Sequence, residues 1–127
     1  MNYMDKAREL RATTDIHYNC AQSVLVTFAK EMGLTEQQAY DLGAHFGSGM
    51  RHGGACGALT GALMVLGMAG KGEGKTAADL MAKMRQEHGA LDCATLLKTS
   101  KEQGIEKKAH CDGLVFEMVQ AVEDMLK

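Results

Sequence analysis

Proline and tryptophan are absent from the 127 residues of this chain, and aromatic residues make up only 5%. Without proline there is no polyproline linker, and so few aromatic rings leave little on which nucleic-acid bases could stack. An excess of positive charge is missing too. Fourteen Lys and Arg face sixteen Asp and Glu, for a formal charge of −2, which argues against a nucleic-acid partner bound by counterion release. No apolar run reaches the ~18 residues that a membrane span needs. The opening Met-Asn-Tyr-Met-Asp-Lys lacks the apolar core of a secretion signal. The expectation is therefore a cytoplasmic protein with no membrane span. Repeats, charge blocks and low-complexity tracts are also missing, so residues 1–127 read as a single helical four-cysteine domain.

What is abundant is apolar and small: 46% hydrophobic residues, 15 glycines and 10 methionines, with 24% charged residues to solvate the exterior. This composition suits a globular chain of short helices joined by glycine turns. The first helix is expected over residues 3–12. A second starts at the N-capping Asn19 and carries Val24, Leu25, Phe28, Ala29 and Met32 at helical spacing, with Gly33 as its stop. Thr35-Glu36-Gln37-Gln38 is a capping box opening a third helix that runs to about Phe46. A glycine loop, 47–54, leads into an apolar helix over 55–69. After a loop at 70–75 comes a helix from Thr76 to His88, then a short one at 91–98, a polar loop over 99–108, and a last helix over 110–126. The fold class is all-α, a compact single-domain bundle of about five to seven short helices with strand content near zero.

Four cysteines, Cys20, Cys56, Cys93 and Cys111, are spread along this pattern without any CxxC pair, so neither a zinc ribbon nor a thioredoxin motif is present. In a reducing compartment they are not expected to be a permanent disulfide scaffold. Each is expected in the first turn of a helix, where free N–H groups and the positive dipole end favour thiolate over thiol. Each is also expected to project inward, Cys20 with Val24 and Phe28, Cys56 above Leu59 and Leu63, Cys93 above Leu96 and Leu97, and Cys111 above Leu114 and Val115. Four thiolates brought together have the ligand set for a [2Fe–2S] cluster or one zinc ion, and pairs of them can cycle through disulfides. The plain alternative is four inert core fillers, since cysteine is among the most buried residue types.

Asn19-Cys20-Ala21-Gln22-Ser23-Val24, the loop Phe46-Gly47-Ser48-Gly49-Met50, the segment Cys56-Gly57-Ala58-Leu59-Thr60-Gly61, and the later Cys93 and Cys111 together resemble the blocks of the C_GCAxxG_C_C redox-active family of bacteria and archaea. The resemblance covers nearly all of the chain beyond its first dozen residues. The local order here is Ala55-Cys56-Gly57-Ala58 rather than the literal Gly-Cys-Ala of the family name. It implies a small helical module whose four cysteines act together. A similar module accompanies haem domains in split-Soret cytochromes, which implies an iron–sulfur role there. No substrate is implied.

Other motifs are weaker. Ala69–Thr76 fits a relaxed phosphate-loop pattern, with Lys75 and Thr76 as its phosphate and Mg²⁺ contacts, but the expected preceding strand is missing. His17, His52 and His110 stand near cysteines and could replace a thiolate ligand or hydrogen-bond one. Arg51 could offset thiolate charge. His45 with Cys56 lacks the third residue of a hydrolase site. The methionines, among them Met64, Met68, Met81, Met84, Met118 and Met125, read as core filler. Cys56, in its glycine-flanked turn, is the expected exposed, attacking thiol. The leading reading is one site of Cys20, Cys56, Cys93 and Cys111 that performs thiol/disulfide or [2Fe–2S] electron-transfer chemistry with an unknown redox partner, either as an oxidoreductase or as a carrier. A structural zinc module without redox turnover is the alternative.

Overall fold

A computed structural model describes residues 2–127. Its helices are α1 (Tyr3–Ala12), α2 (Cys20–Thr27), α3 (Glu36–Leu42), α4 (Gly57–Met68), α5 (Gly74–His88), α6 (Cys93–Glu102) and α7 (Lys107–Leu126), with a single π-turn at Gly49–Gly53 between α3 and α4. Among the described residues there is no strand, only an isolated antiparallel bridge between Ala55 and Asp92. The all-α expectation holds. The helical segments number one more than the upper expectation, because the π-turn forms where a plain glycine loop was read, and α7 is long rather than short.

The centre of the bundle is α2. Seven of its eight residues, from Ala21 to Thr27, are buried, and it packs chiefly on α4, α3 and α7. Its start is a reciprocal cap: Asn19 Oδ1 accepts from Gln22 N at 2.7 Å while Gln22 Oε1 accepts from Asn19 N at 2.9 Å. The same two side chains reach α3, with Asn19 Nδ2 donating to Gly43 O at 3.1 Å and Gln22 Nε2 to Tyr40 O at 2.9 Å. The helix stops at Thr27, well short of the expected Met32. Val24, Val26 and Thr27 are β-branched and hold helical geometry less readily. From there i→i−3 bonds such as Ala29 N to Val26 O, 3.3 Å, tighten the chain into turns that close at Gly33 with φ +71°.

α4 comes close to α2 because glycines face it. A Cβ on Gly61 would lie 3.1 Å from Ala21 O, and one on Gly57 would lie 2.7 Å from Phe46 O and 3.2 Å from Ala21 N. The Cys-Gly-Ala-x-x-Gly segment is thus first of all a packing device, which lets the starts of two helices sit side by side. α1 lies over α2 and α7 through Ala7 and Leu10, and Tyr3 stacks on the buried Phe28 with ring centroids 4.4 Å apart. α7 contributes Leu114, Val115, Met118, Val119, Ala121 and Val122 to the shared core.

Further boundaries differ from expectation. α3 ends at Leu42 rather than near Phe46, α6 continues to Glu102 into the expected 99–108 loop, and α7 begins at Lys107. Met84 and Met118 are fully buried, but Met68 is 58% exposed and fills no core. The phosphate-loop-like segment follows a helix and merely starts α5, where Lys75 Nζ pairs with Asp79 at 2.9 Å on the surface. No helix of the described residues is long and apolar enough to cross a membrane.

Candidate functional site

Three sets of contacts bring the cysteines to one place. The bridge of Ala55 and Asp92 is closed by Cys56 N donating to Leu91 O at 2.8 Å and Cys93 N donating to Gly54 O at 2.6 Å. In this register Cys56 and Cys93 are diagonal neighbours on one face of the paired segments. The Gly57 approach puts the head of α4 against the head of α2, since a Cβ there would lie 3.4 Å from Cys20 Cβ. Lastly, Arg11 ties α1, α2 and α7 together. Its Nε donates to Asp112 Oδ1 at 2.7 Å, and its Nη1 to Tyr18 O at 2.8 Å and Ser23 Oγ at 3.2 Å. Lys108 Nζ completes the knot, donating to Asp112 Oδ2 at 2.9 Å and to Arg11 O at 3.0 Å. Cys20, Cys56, Cys93 and Cys111 all line one cavity of about 490 Å³, together with Arg11, Ser48, Lys107 and His110. None of the four is in a disulfide.

Ser48, just before the π-turn, lines the cavity. Ser48, Met50 and Arg51 have φ of 53°, 56° and 66°, and Gly49 between them has 62°. Successive left-handed residues other than glycine are strained. The turn is held by Gly54 N donating to Gly49 O at 2.8 Å. A Cβ on Gly49 would lie 2.8 Å from Cys93 Cβ, so only glycine lets the turn lie this close to the Cys93 side chain.

The four thiols are not equivalent. Cys111 is pushed down to about 7, foremost because the Cys20 thiol hydrogen-bonds its thiolate and then, against burial, because Arg11 and Lys107 stand near. The converse acts on Cys20, which is raised well above the ordinary thiol value by that hydrogen bond, by burial and by the Cys111 charge, with Arg11 opposing. Burial pushes Cys56 up although the N–H groups of Leu59 and Ala58 favour its thiolate. Burial and the Cys111 charge raise Cys93.

Several expectations are corrected here. Cys20 and Cys93 open α2 and α6 and Cys56 caps α4, but Cys111 is the fifth residue of α7, past its first turn. Its thiolate is favoured all the same, while the three cysteines at helix starts are raised. The Cys111 hydrogen bond and then desolvation outweigh the helix end at Cys20, desolvation does so at Cys56 and Cys93, and a thiol donor with two cations decides Cys111. Cys56 is only 3% exposed and is the most buried of the set, not the most accessible. Arg51 contacts exposed His45 at 3.4 Å rather than a thiol. His17 and His110 line the cavity but His52 does not. Arg11, Lys107 and Asp112 are the site residues that sequence reading missed. The only signal for them was their placement beside chain segments that carry cysteines or caps.

A single tetrahedral zinc has four sulfurs about 2.3 Å from the ion, hence mutually within about 4 Å. Among the described residues the one trio of His, Cys, Asp or Glu ligand atoms within 4.8 Å of one another is Glu87, His88 and Glu117. All four cysteines line one cavity, yet no three of their sulfurs lie mutually within that distance. They do not form a closed tetrahedron.

Residues 18–125 match the model of a family described as "Putative redox-active protein (C_GCAxxG_C_C)". No curated protein and no solved structure matches the chain.

Proposed function

The chain belongs to the C_GCAxxG_C_C family of redox-active proteins, and from that premise we propose that its four-cysteine cavity performs thiol–disulfide exchange through Cys111 and Cys20. The carrying observation is the depressed Cys111 thiol held against the Cys20 thiol. In the reduced protein the Cys111 thiolate attacks a partner's disulfide, forming a mixed disulfide and releasing one partner thiolate. Cys20 then loses its proton to solvent and attacks Cys111 Sγ. The Cys20–Cys111 bond forms, the mixed disulfide breaks, and the second partner thiolate leaves. Two protein thiols are oxidised and one partner disulfide is reduced. The order follows from the charges. Once Cys111 is in the mixed disulfide, the thiolate that held the Cys20 proton is gone and Arg11 remains to favour the Cys20 thiolate. Cys56 and Cys93 are both raised above the ordinary thiol value, so in this reading they are slower to react and remain thiols.

A redox titration against glutathione with peptide mapping tests this. The expected product is one disulfide, Cys20–Cys111, with Cys56 and Cys93 still alkylatable. Oxidation giving another pairing, or none, refutes it. Four cysteines lining one cavity also support a second reading, a [2Fe–2S] cluster held by all four, with the protein as electron carrier. Protein purified without air then contains iron and sulfide in equal amounts and absorbs in the visible. A colourless preparation with one zinc per chain and no thiol oxidation would instead favour the structural zinc module.

A further inference from the structure

Away from the four cysteines, the carboxylate oxygens of Glu87 and Glu117 and an imidazole nitrogen of His88 lie within 4.8 Å of one another. The stripe on α5 explains how they meet. His88 follows the buried Leu80 and Met84 at four-residue steps, so its ring is turned toward α7, where Nε2 lies 2.7 Å from Glu117 Oε2. Glu117 pairs with this imidazole and a Glu87 carboxylate oxygen lies within 4.8 Å of both. Neither carboxylate makes an ion pair with Lys or Arg among the described residues, and neither Lys nor Arg lines the adjoining cavity of about 510 Å³. His88 is also the last residue of α5, and the free carbonyls at a helix C-terminus favour a cation.

An independent observation points the same way. Ser100 of α6 lines this cavity, is only 5% exposed, and its Oγ has no hydrogen-bond partner. A shielded hydroxyl without a partner is a cost that a bound water would remove. We propose that Glu87, His88 and Glu117 bind one divalent first-row cation, whose remaining positions are filled by water that also serves Ser100. One imidazole and two carboxylates suit Zn²⁺, Mn²⁺ or Fe²⁺ and leave coordination positions open. The site shares Leu96, His110 and Leu114 with the wall of the cysteine cavity, yet none of its ligands is a thiol.

Mn²⁺ is the discriminating probe, because thiolates bind it poorly and carboxylates bind it well. Titrating the full chain into Mn²⁺ and following the free-ion paramagnetic resonance signal should show one ion bound per chain. Glu87→Gln, at an exposed position that packing does not need, and Glu117→Gln should each weaken binding by at least about tenfold. Cys111→Ser should leave it unchanged. Mn²⁺ should raise the melting temperature of the wild type and not that of Glu87→Gln. The proposal is overturned if the wild type takes up no Mn²⁺, if both glutamine variants bind as the wild type does, or if Cys111→Ser abolishes binding.

Discussion

Removing the Cys20 thiol by Cys20→Ala should change how Cys111 reacts with pH. The Cys20 hydrogen bond is the foremost cause of the fall in the Cys111 value from 9.0 to about 7. At pH 7 a thiol at about 7 is about half ionised and one at 9 only about 1% ionised, a ratio of about fifty. A less acidic thiol gives a more nucleophilic thiolate, and with a Brønsted slope of about 0.4–0.5 the full shift raises intrinsic reactivity by about six- to tenfold. The two effects oppose, and ionisation wins at neutral pH. If the whole shift were lost, attack of Cys111 on an aromatic disulfide would slow by about five- to eightfold at pH 7. Arg11 and Lys107 stay in place, so this is an upper limit. Above both thiol values every Cys111 is thiolate, and the variant should be the faster of the two. Stopped-flow release of the chromophore from pH 5 to 10, with the modified residue mapped by mass spectrometry, reads this crossing of the two profiles. Superimposable profiles, or a variant faster at every pH, would refute the assignment of Cys20 as the group that holds the Cys111 thiolate.

Two glycines of α4 should respond in opposite directions. A Cβ at Gly57 would lie 2.7 Å from the Phe46 carbonyl, so Gly57→Ala should cost about 1–3 kcal/mol by urea unfolding. Gly67 has nothing within 4 Å of its Cβ position, and Gly67→Ala should stabilise by up to about 1 kcal/mol. Asp112 resists the burial that would raise it, and the hydrogen bonds of Lys108 and Arg11 hold its carboxyl below the ordinary value. A folded value below the unfolded one stabilises at higher pH. That contribution should therefore fade as pH drops from about 4 through the folded value, and Asp112→Asn should flatten this acid limb in thermal melts. Gly49→Ala, whose Cβ would lie 2.6 Å from Gly54 N at φ +62°, should disrupt the π-turn and speed alkylation of Cys93. Unchanged Cys93 labelling would show that the turn does not shield it.

Helix existence could be read from the chain because it depends on neighbours in sequence. Asn19 and Gln22, or Thr35 and Gln38, cap a helix through contacts three residues apart, and α1 and the end of α5 at Gly89 follow from equally local rules. The early end of α2 was harder to read. Its apolar period runs on through Phe28, Ala29 and Met32, all buried, because tight turns can bury the same face as a helix. The left-handed run at Ser48–Arg51 was also unreadable, since those residues other than glycine adopt it only under constraint from Gly54 and the α6 start.

The sequence alone determined the helical class, the caps at Asn19 and Thr35, and the four cysteines as the residues able to carry redox chemistry, since residue type and short-range spacing suffice for each. The tertiary structure decided which cysteine is acidic and which is buried. A thiol's proton affinity depends on the water it has lost and the charges near it, and Arg11 comes beside Cys111 only when α1, α2 and α7 meet.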